Sequence, residues 1–253
     1  MRSLKRFLIS SSLVPRIQHE QSKAAIVFLP REETHHLKNV LRIKEGEMCL
    51  LLDSEGHEFV SRIERFLPDE RSEVSVLETI SKIQPERFKL SVAQAIPQDR
   101  KMDEIVRQAA ELGIFEIIPL MTEHTVVRIH EEKSNKVVAR WQRISDQTLK
   151  QSRLSRAPKI LKPITFDLLC QNLKSYETVF ILDLSSKALP IKEYSDKSSS
   201  EALIIIGPEG GFTEEEVLRA EKLGAKRVSL GNGILKTDTA FVAAASFLKL
   251  IWS

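Results

Sequence analysis

The sequence predicts an α/β protein in two parts, a small strand-rich barrel followed by a larger domain built on a parallel sheet. Three observations carry that prediction. The first 80 or so residues hold short runs of strand character around one helical stretch. From residue 88 onward the period changes, and apolar strand runs alternate with amphipathic helices. Two of the later strands run directly into glycine-containing turns that precede helices, which is where ligands sit in open α/β sheets.

In the first part the strand candidates are KRFLIS (5–10), AAIVF (24–28), EMCLLLD (47–53), EFVSRIERF (58–66) and EVSVLETI (73–80). Asp53, Ser54, Glu55 and Gly56 form a hairpin-type turn between two of them. Pro30 followed by REETHHLKNVLR predicts a helix with Leu37, Val40 and Leu41 on one face. ISKIQPERFK (80–89) reads as a connector, so the expected domains are 1–78 and 79–253. In the second domain FKLSVAQAI (88–96) is a strand and KMDEIVRQAAELG (101–113) a helix. That helix carries Met102, Ile105, Val106, Ala109 and Leu112 on one stripe and ends at Gly113. FEIIPL (115–120), TVFILDL (178–184), ALIII (202–206) and KRVSL (226–230) complete the strands. A basic helix spans 136–151, an apolar one closes the chain, and SDKSSSE (195–201) is a loop.

Composition narrows the class. The chain of 253 residues is 42% hydrophobic and 29% charged, enough for a real core. No run of eighteen apolar residues predicts a membrane span. The opening MRSLKRFLISSSLVPR is too broken for a secretory signal, and Cys49 and Cys170 form no metal or redox motif. Reduced, buried thiols and a cytoplasmic location are expected. The net charge of +3 is unevenly spread. Between 128 and 162 ten basic residues face three acidic ones, the footprint of a polyanion partner or of a solvated helix face.

The two glycine turns are GPEGGF (207–212) and GNG (231–233). Thr213 and Glu216 form a capping box behind the first, and Thr237 or Asp238 can cap the helix behind the second. There is no P-loop, GNGILK lacks the third dinucleotide-binding glycine, and no G-x-S-x-G is present. His35 and His36 are adjacent, so they diverge and offer no metal pair. Glu209, Glu214, Glu215 and Glu216 crowd the first turn and repel phosphate, which favours a neutral or cationic ligand such as S-adenosylmethionine, or a purely structural turn.

At IGPEGGFTEEEV and LGNGILKTDTA the chain resembles the SPOUT-class methyltransferases that modify N3 of a uridine in 16S ribosomal RNA of the small subunit. KRFLI, HHLKNVLR, KMDEIVRQAAELG, IIPL, Trp141 and QSRLSRAPKI fall in the family's order, so the resemblance covers almost the whole chain. It implies a PUA-like barrel that binds RNA and a SPOUT domain with a trefoil knot. It further implies a homodimer that binds 16S rRNA or the small ribosomal subunit, with S-adenosylmethionine as cofactor and no metal. Cofactor contacts are then expected at Leu182, Leu184, Ile206, Gly207, Gly210 and Gly211. A second group is Leu230, Gly231, Asn232, Ile234 and Leu235. Arg6, Arg42, Arg153 and Arg156 are expected on the RNA, and Glu209 is the candidate proton acceptor or a residue that fixes the turn. The family pattern carries arginine or lysine where this chain has Gln108, His124, Leu154 and Gly233. A SPOUT enzyme for another RNA, and a non-catalytic RNA-binding relative, are the alternative readings.

Overall fold

Alternating burial builds the first sheet from short segments. The computed structural model describes residues 4–14, 25–80, 87–152, 154, 156–195 and 199–252. The chain divides into two compact units, Met1–Pro85 with Asp146–Ala157, and Glu86–Ser145 with Pro158–Ser253. Residues 81–86 of the expected connector, 196–198 of the expected loop and Arg153 lie outside the described residues.

The first unit holds β1 (Lys5–Leu8), β2 (Ile26–Leu29), β3 (Met48–Leu52), β4 (Glu58–Phe66) and β5 (Ser72–Thr79). They form one sheet in the order β1-β3-β4-β5-β2, with β1 parallel to β3 and the other pairs antiparallel. Along β4, Phe59, Ser61 and Ile63 point inward, as the two-residue period of a strand requires. Phe59 and Ile63 meet Phe7, Leu29, Leu51 and Val74 in one hydrophobic core. Cys49 belongs to that core, and burial pushes its thiol up to about 12, so it carries no reactive thiolate.

The β3–β4 turn forms as its Asp–Gly chemistry predicts. Asp53 Oδ1 accepts the N–H groups of Glu55, Gly56 and His57, and Oδ2 lies 2.8 Å from His57 Nδ1. Ligand-type atoms of Asp53, Glu55 and His57 lie within 4.8 Å of one another, but these hydrogen bonds already account for their approach.

One expectation fails locally. Helix α1 (Arg31–His35) continues into a π-helical turn, His36–Val40, closed by the Leu41 N–H to the His36 carbonyl at 3.0 Å. The extra residue per turn rotates the following side chains. Leu37 is fully buried, whereas Val40, expected beside it, is 59% exposed. Arg42 then ends the helix in a left-handed conformation, φ +53°.

Residues 146–157 join this unit although the sequence placed them wholly in the second domain. Arg6 explains why. Its guanidinium donates to Glu58 Oε1 at 2.6 Å and to the carbonyls of Leu149 and Leu154 at 3.4 and 3.0 Å. Carbonyls at a helix C-terminus lack partners within the helix, and a cation there satisfies them and the dipole together. Leu149 and Ala157 pack on Leu52, and the Ala157 N–H bonds the Ser54 carbonyl. Arg6 is therefore turned inward, with its side chain 11% exposed, and is not free for the RNA backbone as the sequence suggested.

In the second unit β6 (Lys89–Ala95), β7 (Glu116–Met121), β8 (Lys159–Ile160), β9 (Ile164–Thr165), β10 (Thr178–Leu182), β11 (Leu189–Pro190), β12 (Glu201–Ile206) and β13 (Lys226–Ser229) form one sheet. Its order is β11-β13-β10-β12-β6-β7-β8, with β9 also on β7, and every pair is parallel. Burial on both faces makes the central strands apolar throughout. Ala202, Ile204 and Ile206 face one layer, with α2 (Lys101–Leu112), α3 (Glu131–Ser152) and α6 (Thr237–Trp252) supplying Ile105, Trp141 and Phe241. Leu203 and Ile205 face the other, under α4 (Phe166–Asn172) and α5 (Glu214–Lys222), which supply Phe166, Leu169, Val217 and Ala220. Asp103 fastens α2 to α3 by accepting from Trp141 Nε1 at 3.1 Å and from Arg140.

Replacing Arg6 by Met leaves Glu58 and the Leu154 carbonyl without this donor and takes one of two donors from the Leu149 carbonyl at the helix end. Breaking such a mostly buried pair should destabilise the protein by about 3 kcal/mol. Urea unfolding of Arg6→Met measures this, and an unchanged midpoint refutes the capping role.

Candidate functional site

Strands β10, β12 and β13 end side by side, Ile181 beside Ile205 and Leu182 beside Val228. Just beyond them lies a cavity of about 290 Å³. Its walls are mainly aliphatic: Leu182, Ile206, Val228, Leu230 and Ala240 inside, Leu184, Ile234 and Leu235 toward the opening. Ile234 is 84% and Leu184 63% exposed, an unusual outlay of apolar surface that suits an apolar ligand face. Charge comes from Asp183, Glu209 and Lys236.

Eight of the residues that the sequence singled out for the cofactor line this cavity: Leu182, Leu184, Ile206, Gly207, Gly211, Leu230, Ile234 and Leu235. Glu209 lines it too. Gly210, Gly231 and Asn232 are not among the lining residues. Gly210 instead faces His124, whose Cβ would stand 3.1 Å from a Cβ added at Gly210. Gly211 and Gly231 have φ of +69° and +121°, conformations that only glycine adopts without strain. Arg42 is exposed and Arg156 half-buried, both far along the chain from these turns.

The two glycine turns are tied together by a chain of hydrogen bonds. Thr237, first residue of α6, donates its hydroxyl to the Gly207 carbonyl at 2.8 Å. The same oxygen accepts from Gln94 Nε2 at 2.9 Å, and Gln94 also donates to the Ala95 carbonyl. Gln94 is completely buried. A glutamine inside the apolar run VAQAI (92–96) was the available signal for this latch.

A second unforeseen residue is Arg227, whose side chain is 2% exposed in the β13 strand. It reaches Asp183 at 3.1 Å, Glu214 at 2.7 Å and Glu221 at 3.9 Å. Burial opposes its charge, but the Glu214 hydrogen bond and the nearby carboxylates of Asp183 and Glu221 overcome this and hold its pKa above the usual arginine value. It thereby fixes the Asp183 segment of the cavity wall to the start of α5. A charged residue in the short KRVSL strand was its signature.

The start of α5 is closed to anions. Thr213 Oγ1 accepts the Glu216 N–H, and Glu216 Oε2 accepts the Thr213 N–H at 3.0 Å, completing the expected capping box. Glu214, Glu215 and Glu216 fill the first turn. A phosphate-bearing cofactor would meet negative charge there. A ligand with an apolar ring face, polar edges and a positive centre fits the lining.

Of the residues that depart from the family pattern, Gly233 lines the cavity and has nothing within 4 Å of an added Cβ. Leu154 packs in the small cluster with Leu52 and Leu149, and Gln108 Oε1 is buried without a partner among the described residues. His124 Nδ1 lies 3.0 and 3.2 Å from the carbonyl oxygens of Gly210 and Gly211.

Thr237→Val removes the hydroxyl between Gln94 and Gly207 and strands a buried donor. A cost of about 1–3 kcal/mol is expected, with Thr237→Ser close to the parent, in denaturant unfolding. Equal stability of the Val variant would show that the latch contributes nothing.

The comparisons with known proteins agree with this architecture. Residues 84–249 match the RNA methyltransferase domain and residues 29–65 the RNA methyltransferase PUA domain. The ribosomal RNA small subunit methyltransferase E of Bacillus subtilis is 30% identical over 85% of this chain and 86% of its own. That of Synechocystis is 30% identical over 94% of this chain and 77% of its own. Among solved structures, the Neisseria gonorrhoeae enzyme of the same name, bound to S-adenosyl methionine, has a TM-score of 0.84 at 28% identity and covers 99% of this chain and 98% of its own. A putative methyltransferase from Legionella pneumophila in complex with the same cofactor has a TM-score of 0.85 at 27% identity, covering 98% of both. With the domain matched along most of its length, the chain belongs to the family of RNA methyltransferases that carry a PUA domain, the family of ribosomal RNA small subunit methyltransferase E.

Proposed function

We propose that the protein methylates N3 of a uridine in 16S ribosomal RNA with S-adenosylmethionine as cofactor. The observation that carries this reading is the aliphatic cavity between two latched glycine turns, beside a helix start closed to phosphate. Backbone groups of Gly207, Gly211 and Leu230 would meet the polar edge of an adenine, and Leu182, Ile206 and Ala240 its faces. Lys236 is the cation on the cavity wall available to a carboxylate. When bound, the cofactor supplies an electrophilic methyl group, so the protein's task is to orient the base and dispose of the N3 proton. The target base must leave its stack to present N3.

Several further assignments belong to the same reading. A deep trefoil knot belongs to this reading, as do an RNA-binding domain over residues 1–78 and a methyltransferase domain over 79–253, of which Asp146–Ala157 packs in the first unit. Leu250 and Ile234, each more than four-fifths exposed, suit a homodimer contact. Arg42, Arg153 and Arg156 are the assigned contacts to the RNA backbone, and the cytoplasm the assigned location. The described helices include none long and apolar enough to cross a membrane.

Glu209 takes the second of its two expected roles. Its carboxylate lies 3.1 Å from Lys101 Nζ at the start of α2, which fixes the first glycine turn. Glu209→Ala and Lys101→Ala should weaken cofactor binding by similar, small factors that do not add in the double variant. The coupling should be about 0.5 kcal/mol, since the pair is partly exposed. If Glu209→Ala slows only the chemical step and leaves affinity intact, the carboxylate acts on the proton instead.

Calorimetric titration with S-adenosylmethionine, followed by mass mapping of 16S rRNA from a strain lacking the gene, tests the whole reading. Saturable binding and one missing methyluridine are expected. No binding sinks the enzyme, and a methyl lost elsewhere reassigns its substrate.

A further inference from the structure

Helix α3 carries its positive charge along one line. Between 133 and 145 it holds Lys133, Lys136, Arg140 and Arg143 and no carboxylate. At about 100° per residue, these four fall within about 80° of the helix circumference and span about 15 Å of its length. All four are exposed, whereas Ser134, Trp141 and Ser145 on the other side are buried. Glu131 and Glu132 stay in the first turn, where the helix dipole accounts for them. A face kept only for solvation gains from mixed signs at i and i+4, and has no cause to sort its charges.

The line leads to the cavity through the start of α2. Arg140 donates to Asp103, and the Asp103 N–H bonds the Arg100 carbonyl at 3.0 Å. Next to Arg100, Lys101 Nζ lies 3.1 Å from the carboxylate of Glu209, which lines the cavity. Asp99 and Arg100 are the centre of a turn over 98–101, closed by the Lys101 N–H to the Gln98 carbonyl at 3.2 Å. Their φ angles are +54° and +59°, values at which glycine or asparagine is the usual occupant. Here an exposed arginine is held there, at the same carboxyl edge of the sheet as the first glycine turn, since Gln94 of β6 pairs beside Ile206 of β12. The side chains of Lys133, Lys136 and Arg100 have no ion-pair or hydrogen-bond partner among the described residues.

We propose that this line of cations is the track on which the RNA strand approaches the cavity, a role that rests on the ribosomal RNA reading above. Lys133 and Lys136 meet backbone phosphates, and Arg140 stays fastened to α2 by Asp103. Arg100 holds the phosphate nearest the cavity. Glu209 already engages Lys101, so Arg100 is the cation of that turn left for the strand. A cation on a fixed turn has less freedom to lose on binding than one on a loose loop. Contacts of this kind carry no sequence information; they set the register of the strand and leave the choice of base to the cavity.

Binding to protein-free 16S RNA and to unmethylated small subunits, measured across salt concentrations, tests the track. The double variant Lys133→Gln, Lys136→Gln should bind both about tenfold more weakly at about 0.15 M salt. Its salt slope should fall by about 1.4, the loss of two single-strand phosphate contacts. Its affinity for S-adenosylmethionine and its unfolding midpoint should match the parent. Arg100→Gly should weaken RNA binding about fourfold yet raise the unfolding midpoint, since glycine suits the left-handed turn. An arginine kept for structure would show the reverse, a lower midpoint with unchanged RNA binding. Unchanged affinity and slope in the double variant of a parent that binds and methylates overturn the track alone. A loss on subunits but not on protein-free RNA assigns the face to a ribosomal protein and overturns it too. A parent that binds neither RNA nor subunits overturns the earlier reading and the track together, and is seen before any substitution.

Discussion

One hydroxyl holds the site together. Thr237 stands between a fully buried glutamine on β6 and the carbonyl that opens the first glycine turn, donating to one and accepting from the other. Both glycine turns therefore depend on the same atom, because Thr237 also begins the helix that follows the second turn. The strand ends supply aliphatic walls, but walls alone would leave two glycine-rich segments free to open. A hydrogen bond between buried groups has no water to replace it, so its loss is felt in full.

Charge provides the second constraint. Arg227 is embedded in a strand and surrounded by Asp183, Glu214 and Glu221. Lys187 and Arg227 both hydrogen-bond Glu214, and together they hold its carboxyl below the usual carboxylate range. One edge of the cavity wall and the first turn of α5 are thus joined through a cation that solvent scarcely reaches. The arrangement resembles the turn around His124, where Glu216 serves both its own helix and the neighbouring loop.

The regular elements could be read from the sequence because their causes are local. EFVSRIERF forms a strand over its full length, with burial alternating as written, and KMDEIVRQAAELG forms a helix that ends at a left-handed Gly113. The aliphatic runs before both glycine turns became parallel strands on either side of β10, which is why so many of the expected cofactor residues share one cavity. What escaped has non-local causes. The π-helical turn buries Leu37 and leaves Val40 exposed, which the periodicity of HHLKNVLR does not show. Helix α4, not expected, starts at a Thr165 cap after a two-residue strand too short to carry a pattern. Arg6 looked like an exposed cation because its partners lie more than 140 residues away for the helix carbonyls and 52 away for Glu58. Arg227 and Gln94 were visible only as polar residues in apolar company, a signal that marks a buried network without naming its members.

The carboxylates of Asp183 and Glu209 on the cavity wall have a consequence for selectivity among the cell's adenine compounds. ATP and ADP share the adenosine that the proposed reading places in this cavity. Their phosphates, however, would meet both carboxylates on the cavity wall. Like-charge repulsion acts against them. The same carboxylates leave a positively charged sulfur unopposed. On the proposed reading, the acidic residues of the cavity wall work as a charge filter, admitting an adenosine by what it carries rather than by its ring.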